Sequence, residues 1–288
     1  MLLIKTLRAH QWVKNLLLFV PFLLAYNEFD IARIWELILA FFAFSFCASA
    51  NYIFNDISDL ESDRRHPTKR NRPLAAGQIS ILHALYLAVL LLVSSFAMAW
   101  FLTKEFQIIL AAYLFITLAY SYVLKSLVLV DVIVLGFLFT IRILAGIYAA
   151  QVSVSYWILV FSMFLFVSLA MLKRFSELYN LQLRNETQAS GRGYIAEDLT
   201  LVLSLGIASG YISTLILLLY THDPISIAKY SHPEWLWLAF PALLYWVSYM
   251  WLIAHRGKMN EDPVLFAIRD KNSYAVGVIC LIGFMLAA

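Results

Sequence analysis

Long runs of apolar residues, separated by short polar segments, account for most of this 288-residue chain. The runs show no alternation of period two, and each has close to the roughly 20 residues that an α-helix needs to cross a bilayer. Because backbone groups without a hydrogen bond are costly in lipid, runs of this length are expected to be helical. The pattern predicts an all-α integral membrane protein with nine transmembrane helices, at residues 12–29, 33–55, 79–102, 106–124, 128–150, 154–173, 198–220, 235–255 and 272–288.

The composition agrees with a chain that lies mainly in lipid. It is 62% hydrophobic and 14% charged, whereas soluble domains average about 45–50% apolar residues. The formal net charge of +3 is too small to suggest a nucleic-acid partner. Cys47 and Cys280, each in an apolar run, favour neither a disulfide framework nor a metal site. No segment has the composition of a linker or a soluble domain, so we expect residues 1–288 to form a single polytopic membrane domain. The sequence leaves open whether the protein is a homo-oligomer.

The basic residues are divided unequally between the two sides of the predicted bundle. Of the 21 Lys and Arg residues, Arg142 lies inside a span and only Arg33, Lys104 and Lys229 lie on one side. All the others lie in the N-terminus or in the loops after the even-numbered spans. Because cytoplasmic loops carry the excess of Lys and Arg, the N-terminus is expected in the cytoplasm. The three long loops share that side, so we expect a cytoplasmic active site; they are residues 56–78, 174–197 and 256–271.

Acidic residues cluster at the cytoplasmic end of the second predicted helix. At 3.6 residues per turn, one face of the helix carries five polar side chains, namely Asn51, Asn55, Asp56, Asp59 and Asp63. Glu61 lies on the opposite face. Unpaired carboxylates near lipid are costly, so the cluster implies a compensating cation. Oxygen ligands favour Mg²⁺, which typically binds one or two carboxylates together with substrate phosphate oxygens. The face therefore predicts Mg²⁺ carrying a diphosphate, with three catalytic aspartates among the metal ligands Asn55, Asp56, Asp59 and Asp63.

A basic run follows the acidic residues directly. Its members Arg64, Lys69, Arg70 and Arg72 are candidates to bind a polyphosphate, since Arg contacts phosphate through two parallel hydrogen bonds. Cytoplasmic loops are also basic for reasons of topology alone. The sequence does not decide between these two interpretations.

The motif Asn55-Asp56-x-x-Asp59-x-x-x-Asp63, at the end of the second of nine predicted helices, resembles the UbiA superfamily of intramembrane prenyltransferases. The resemblance in layout extends over the whole chain. It implies a UbiA-type helical bundle with a cytoplasm-facing cavity. It also implies that Mg²⁺ and two aspartate-rich motifs hold a diphosphate in a chamber open to the membrane.

The chain departs from that pattern after the sixth predicted span. Where the superfamily carries its second aspartate-rich motif, residues 171–180 read MLKRFSELYN, with Lys173, Arg174 and Glu177. Lys173 and Glu177 also have the spacing of a weak surface ion pair, worth about 0.2–0.5 kcal/mol. With residues 10–25, 66–77 and 261–271, this stretch resembles the decaprenyl-phosphate phosphoribosyltransferase subfamily. That resemblance implies a bacterial inner-membrane enzyme of the cell envelope. Such an enzyme transfers the 5-phosphoribosyl group of 5-phosphoribosyl-1-diphosphate (PRPP) to a polyprenyl phosphate and releases diphosphate.

The remaining polar residues fit a reaction that relies on positioning and charge. The lipid phosphate is already an anion at neutral pH, and no histidine has an obvious acid–base partner. Charges inside predicted spans usually face a cavity or a polar network. The candidates for contact with the substrates or for such a network are Lys14, Asn15, Asn51, Lys125, Asp131, Arg142, Lys173, Arg174 and Glu177.

Two other functions compete with this interpretation. An ordinary UbiA prenyltransferase, joining a polyprenyl diphosphate to an aromatic or quinone precursor, predicts acids after the sixth span. A transporter could use Asp131 and Arg142 as ion-coupling groups, but it predicts broken spans at matching positions of two repeats, which the sequence lacks.

Overall fold

The computed structural model describes residues 2–25, 30–65, 69–184, 192–259 and 262–288, and these ranges contain no β-strand. Helices make up the fold, as the apolar runs predict. The α-helices are α1 Leu2–Thr6, α2 Val20–Leu24, α3 Ala32–Ser58, α4 Leu60–Arg65, α5 Ile81–Ala99, α6 Lys104–Tyr122, α7 Val130–Ala150, α8 Tyr156–Leu183, α9 Leu199–Tyr220, α10 Pro224–Ile227, α11 Ala239–His255, α12 Pro263–Ala267 and α13 Lys271–Ala287. 3₁₀ helices cover Ala9–Phe19, Lys69–Asn71, Leu124–Ser126, Ala196–Asp198 and Pro233–Leu238, and the first of them is long, with 11 residues.

Within the described ranges, seven helical segments are long and apolar enough to cross a membrane. They correspond to the second to the eighth predicted spans and run over Arg33–Ser58, Ile81–Ala99, Lys104–Tyr122, Val130–Ala150, Tyr156–Leu183, Ala196–Tyr220 and Pro233–His255. The ninth prediction corresponds to the shorter apolar helix Lys271–Ala287. The protein is therefore an integral membrane protein, while the count of nine spans stays a prediction.

The first predicted span has a different local structure from the expected α-helix. Residues 9–19 form a 3₁₀ helix that continues into α2, and residues 26–29 lie outside the described ranges. The buried side chains Asn15, Leu18 and Pro21 recur every third residue. A 3₁₀ helix has three residues per turn, so this spacing places Asn15 and Leu18 on one face, and Pro21 follows in α2.

The chain divides into two compact units. The first comprises Met1–Tyr122 and Ile141–Ser153, and the second comprises Val123–Thr140 and Val154–Ala288. Helix α7 contributes its first half to the second unit and its second half to the first.

In the first unit, α3 packs along α5 through small side chains. Ala50 of α3 and Ala84 and Ala88 of α5 are buried, and Ser95 Oγ of α5 donates to the Ala43 carbonyl at 2.7 Å. In lipid, small residues at a helix interface let two backbones approach closely. This packing fixes the C-terminal end of α3, where the acidic motif begins.

In the second unit, α8 packs along α9 and α11. Ser168 Oγ of α8 donates to the Gly206 carbonyl of α9 at 2.7 Å and accepts from Trp251 Nε1 of α11 at 3.0 Å. A Cβ on Gly206 would lie 2.3 Å from the Trp251 ring, so only glycine permits this approach. Helices α9 and α11 thereby position the part of α8 that carries Lys173, Arg174 and Glu177.

Candidate active site

The acidic motif keeps its helical phase although α3 ends inside it. Asp59 follows the last residue of α3, and α4 begins one residue later. The Asp59 amide donates to the Asn55 carbonyl at 2.9 Å, and the Asp63 amide donates to the Asp59 carbonyl at 2.8 Å. Asn55 Nδ2 also donates to Asp59 Oδ2 at 3.0 Å. Asp63 is buried and Glu61 is exposed, as the helical phase predicts.

Two arginines contact the acids of this motif. Arg72 Nη1 donates to Asp63 Oδ2 at 2.5 Å and to Asp56 Oδ1 at 3.1 Å. Arg8 Nη2 donates to the same Asp56 oxygen. We name these four residues the aspartate–arginine cluster. Arg72 thus bridges the two aspartates that lie seven residues apart.

The other basic candidates of the run differ from Arg72 in exposure. Arg64, Lys69 and Arg70 are exposed. Arg72 is half-buried and contacts two acids of the motif, so the structure brings this candidate to the acidic motif. The exposure of the other three is also that of ordinary basic loop residues.

The donor set of the acidic motif fits Mg²⁺. Asp63 Oδ1 is buried without a hydrogen-bond partner within the described part of the chain, and such an atom is normally satisfied by protein, water or an ion. Asn55 and Asp59 supply further oxygens one turn away. Within the same part of the chain, no group of three or more His, Cys, Asp or Glu side chains forms a preassembled metal cluster. Mg²⁺ does not require one, because it keeps waters and substrate phosphate oxygens among its ligands.

A second charged cluster lies in the C-terminal part of α8. Arg174 is 1% exposed; its Nε donates to Asp131 Oδ2 at 2.6 Å and its Nη1 to Glu177 Oε2 at 2.5 Å. Arg192 lies beside the same two acids, 3.5 Å from Asp131 Oδ2 and 3.6 Å from Glu177 Oε2. Tyr194 completes what we name the Arg174 cluster. The sequence candidates Asp131, Arg174 and Glu177 therefore meet in one place.

Tyr194 ties the loop before α9 to the start of α7. Its hydroxyl donates to Asp131 Oδ1 at 2.7 Å and accepts from the Leu129 amide at 3.0 Å. Burial, together with the hydrogen bond to Asp131, raises the pKa of Tyr194. The phenol therefore stays protonated at neutral pH and keeps donating to the aspartate.

Lys173 differs from its neighbour in exposure. Its side chain is 37% exposed, and its Nζ lies 3.8 Å from Asp262 Oδ2. Asp262 also begins α12 by accepting from the Val264 amide at 3.0 Å, and Pro263 occupies the first helical position, where proline is favoured. Lys173 is the candidate cation of α8 that solvent reaches.

A third set of candidates forms a polar network inside the first unit. Arg142 is 5% exposed; its Nε donates to Asn15 Oδ1 at 2.9 Å and its Nη2 to the Tyr113 hydroxyl at 3.0 Å. Asn15 Nδ2 donates in turn to Ser45 Oγ at 3.0 Å. This network joins the 3₁₀ helix to α3, α6 and α7, and it is the polar network expected for a charge inside a span.

The remaining three candidates differ in burial. Lys14 and Lys125 are half-buried. Asn51 is buried beside Cys47, with its Nδ2 3.9 Å from the sulfur and its Oδ1 without a hydrogen-bond partner in the described ranges.

Sequence reasoning missed Arg8, Arg192 and Tyr194 as members of these clusters. Arg8 lies 48 positions before Asp56, and Tyr194 lies 63 positions after Asp131. No local period connects residues so far apart. The available signal was their location in segments predicted to be cytoplasmic, which for the two arginines also fits a role in topology.

Comparison with known proteins identifies relatives of the chain. The sequence profile of the UbiA prenyltransferase family matches residues 16–272. The chain is 38% identical to uncharacterized protein y4nM of Sinorhizobium fredii, over 98% of its own length and 55% of that protein's. It is 34% identical to nodulation protein NoeC of Azorhizobium caulinodans, over 97% of this chain and 89% of the relative. It is 40% identical to the decaprenyl-phosphate phosphoribosyltransferase of Mycolicibacterium smegmatis, over 66% of this chain and 60% of that one.

The chain therefore spans just over half the length of the first of these relatives. A solved UbiA homolog from Archaeoglobus fulgidus, bound to GPP and Mg²⁺, superposes with a TM-score of 0.73 at 17% identity, over 100% of this chain and 98% of that one. At this identity the likeness establishes the fold. The profile match, the relatives and the shared fold agree with the resemblance expected from the acidic motif. The chain belongs to the UbiA prenyltransferase family.

Proposed function

We propose that this protein is a polyprenyl-phosphate phosphoribosyltransferase, which uses Mg²⁺ to transfer the 5-phosphoribosyl group of PRPP to a polyprenyl phosphate. The observation that carries this proposal is the cationic end of α8. Lys173 and Arg174 stand where an ordinary prenyltransferase of this family is expected to carry acids. The relative from Mycolicibacterium smegmatis, whose name states this kind of reaction, supports the same substrate class.

The acidic motif would bind the diphosphate end of PRPP. Asn55, Asp56, Asp59 and Asp63 would hold Mg²⁺, which when bound neutralises charge on the leaving diphosphate. Arg72 lies beside two of these acids and can donate to diphosphate oxygens. The chain's contribution is then to orient the diphosphate and to stabilise its negative charge as it leaves.

The transfer itself needs little acid–base chemistry from the protein. An anionic oxygen of the lipid phosphate forms a bond to C1 of the ribosyl group. The bond from C1 to the diphosphate oxygen breaks, and the diphosphate leaves with the electron pair. In-line attack from the face opposite the leaving group inverts C1. Positioning and electrostatic stabilisation are the two effects that the chain must supply.

The two adjacent cations of α8 have different proposed roles: Arg174 positions its neighbours, and Lys173 contacts a substrate phosphate. Arg174 is enclosed by Asp131 and Glu177, so it fixes the shape of the Arg174 cluster. Lys173 is more exposed and lies at the long distance of 3.8 Å from Asp262, a contact that a phosphate can replace. We assign Lys173 to the 5-phosphate of PRPP or to the lipid phosphate, and Arg174 to positioning. We assign the active site to the cytoplasmic side of a bacterial inner membrane, where soluble PRPP would reach it.

The experiment uses purified protein in detergent with Mg²⁺, decaprenyl phosphate and PRPP labelled in the ribosyl group. We expect label in the lipid phase, lost when Mg²⁺ is chelated or when Asp59→Asn is introduced. Glu61→Gln is the matched control, because it removes an exposed carboxylate two residues away. This variant is expected to retain transfer.

A parallel reaction contains a polyprenyl diphosphate and 4-hydroxybenzoate. Product in this reaction alone would reject the phosphoribosyl transfer in favour of the ordinary prenyltransferase reaction. Transfer from PRPP that persists in Asp59→Asn would instead reject the assignment of the metal ligands.

A further inference from the structure

Arg8 is held against the acidic motif by contacts of its own side chain and of the carbonyl of the preceding residue. It connects α1 to the 3₁₀ helix with φ 50° and ψ 44°, a left-handed conformation that is uncommon for a residue other than glycine. Its guanidinium donates to Asp56 and lies 5.0 Å from the centre of the Tyr52 ring. The carbonyl of the preceding Leu7 accepts from Ser49 Oγ of α3 at 2.7 Å. A strained backbone held by such contacts is often part of a functional site.

The carboxylate that Arg8 contacts is also a proposed ligand of Mg²⁺. Asp56 Oδ1 accepts from both Arg8 and Arg72, and Arg72 holds Asp63 as well. A bare divalent cation at these acids would meet two guanidinium groups and would have to compete with them. A cation that carries diphosphate brings negative oxygens, which arginine binds through parallel hydrogen bonds. The positive charge of Arg8 therefore disfavours binding of the bare cation and favours binding of the cation–diphosphate complex.

We propose that Arg8 is a substrate-binding residue that exchanges partners: it neutralises Asp56 while the site is free of ligand and donates to the diphosphate when Mg²⁺ and diphosphate bind. The inference rests on the proposed function, because it takes the diphosphate site to be at the acidic motif. It assigns Arg8 to the substrate, a role that its location in the N-terminal segment did not suggest. Arg8 then opposes the bare cation and favours the cation–diphosphate complex.

Two binding measurements on the full-length protein in detergent test this exchange without turnover. The first measures Mn²⁺ affinity in the absence of anions, from the electron paramagnetic resonance signal of free Mn²⁺. The second measures the affinity for inorganic diphosphate in saturating Mg²⁺ by titration calorimetry. In Arg8→Gln we expect Mn²⁺ to bind several-fold more tightly. Diphosphate should bind about tenfold more weakly, the loss expected for one hydrogen bond to a charged group.

Two further variants show whether the effect of Arg8 comes from its hydrogen bonds or only from its charge. Arg65→Gln removes the same charge from an exposed residue of α4, so both affinities should stay near those of the unmodified protein. Arg8→Lys keeps the charge but lacks the planar fork of donors. It should restore the Mn²⁺ affinity and only part of the diphosphate affinity. The thermal unfolding temperature of each variant shows whether it is folded.

The outcomes distinguish this inference from the proposed reaction. If Arg8→Gln weakens both affinities in folded protein, Arg8 only supports the structure and the inference is rejected. Equal shifts in Arg65→Gln would also reject it, because general electrostatics would then suffice. Absence of Mn²⁺ binding to the unmodified protein would reject it as well. Opposite shifts combined with no transfer from PRPP would retain the role of Arg8 and reject the phosphoribosyl reaction.

Discussion

Lys173 and Arg174 are adjacent in sequence and carry the same charge, yet their surroundings give them different roles. Replacing Arg174 with Gln would leave Asp131, which is fully buried, without its closest cation. Breaking a buried ion pair costs on the order of 3–5 kcal/mol, because the remaining charge is buried and poorly compensated. We therefore expect Arg174→Gln to lower the unfolding temperature in detergent.

Lys173→Gln is the matched control for that prediction. Its side chain is 37% exposed and its ion pair is long, so a surface-type loss of about 0–1 kcal/mol is expected. Its effect should appear as a raised KM for PRPP or for the lipid phosphate. Equal unfolding temperatures for the two variants would contradict the division of roles between these neighbours.

Individual contacts in the acidic motif were partly predictable from sequence. Helical phase alone placed Asn55 next to Asp59, put Asp63 on the same face and turned Glu61 away, because these relations depend on local geometry. The pairing of Arg8 with Asp56 was not predictable, since a contact across 48 residues depends on how separate elements pack. Similarly, the sequence predicted Lys173 as the partner of Glu177 four residues away, and the structure adds Arg174, which contacts Glu177 three residues away.

At the scale of elements, the second half of α7 packs against the 3₁₀ helix at a single glycine. A Cβ on Gly146 would lie 2.1 Å from the Leu18 carbonyl oxygen, so the two backbones would have to separate. We expect Gly146→Ala to destabilise the protein by about 1–3 kcal/mol, the usual cost of overfilling a packed site. Thermal unfolding in detergent measures the effect.

Gly277 in α13 provides the comparison for this substitution. A Cβ at Gly277 meets no atom within 4 Å, and the residue is exposed. Gly277→Ala should be neutral or should stabilise the helix by up to about 1 kcal/mol. If Gly146→Ala unfolds at the same temperature as Gly277→Ala, the close approach at Leu18 is not required.

The seven candidate spans among the described residues were predictable because length and hydropathy are local properties of the sequence. The 3₁₀ helix over Ala9–Phe19 was not. Over 11 residues, a repeat of 3.0 is hard to distinguish from one of 3.6, and long 3₁₀ runs are uncommon. Its conformation depends on partners elsewhere in the first unit, including Arg142, which contacts Asn15.

At the scale of the whole molecule, the distribution of Lys and Arg predicts which segments face the cytoplasm. We expect a single cysteine at Ser62 to react with an impermeant maleimide only after cells are permeabilised. A cysteine at Lys229 should react in intact spheroplasts. Both positions are exposed. The background carries Cys280→Ser and keeps Cys47, which is buried. The reverse pattern of labelling would invert the orientation and remove the cytoplasmic active site from the proposal.

The 3₁₀ conformation also changes how far the N-terminal segment reaches. A 3₁₀ helix rises about 2.0 Å per residue, so the 11 residues Ala9–Phe19 extend over about 22 Å, compared with about 16 Å in an α-helix. The five residues of α2 add about 7 Å. Together they approach the roughly 30 Å thickness of the hydrocarbon layer. These sixteen residues, eleven of them in the 3₁₀ helix, thus have the axial length of about 20 residues of α-helix.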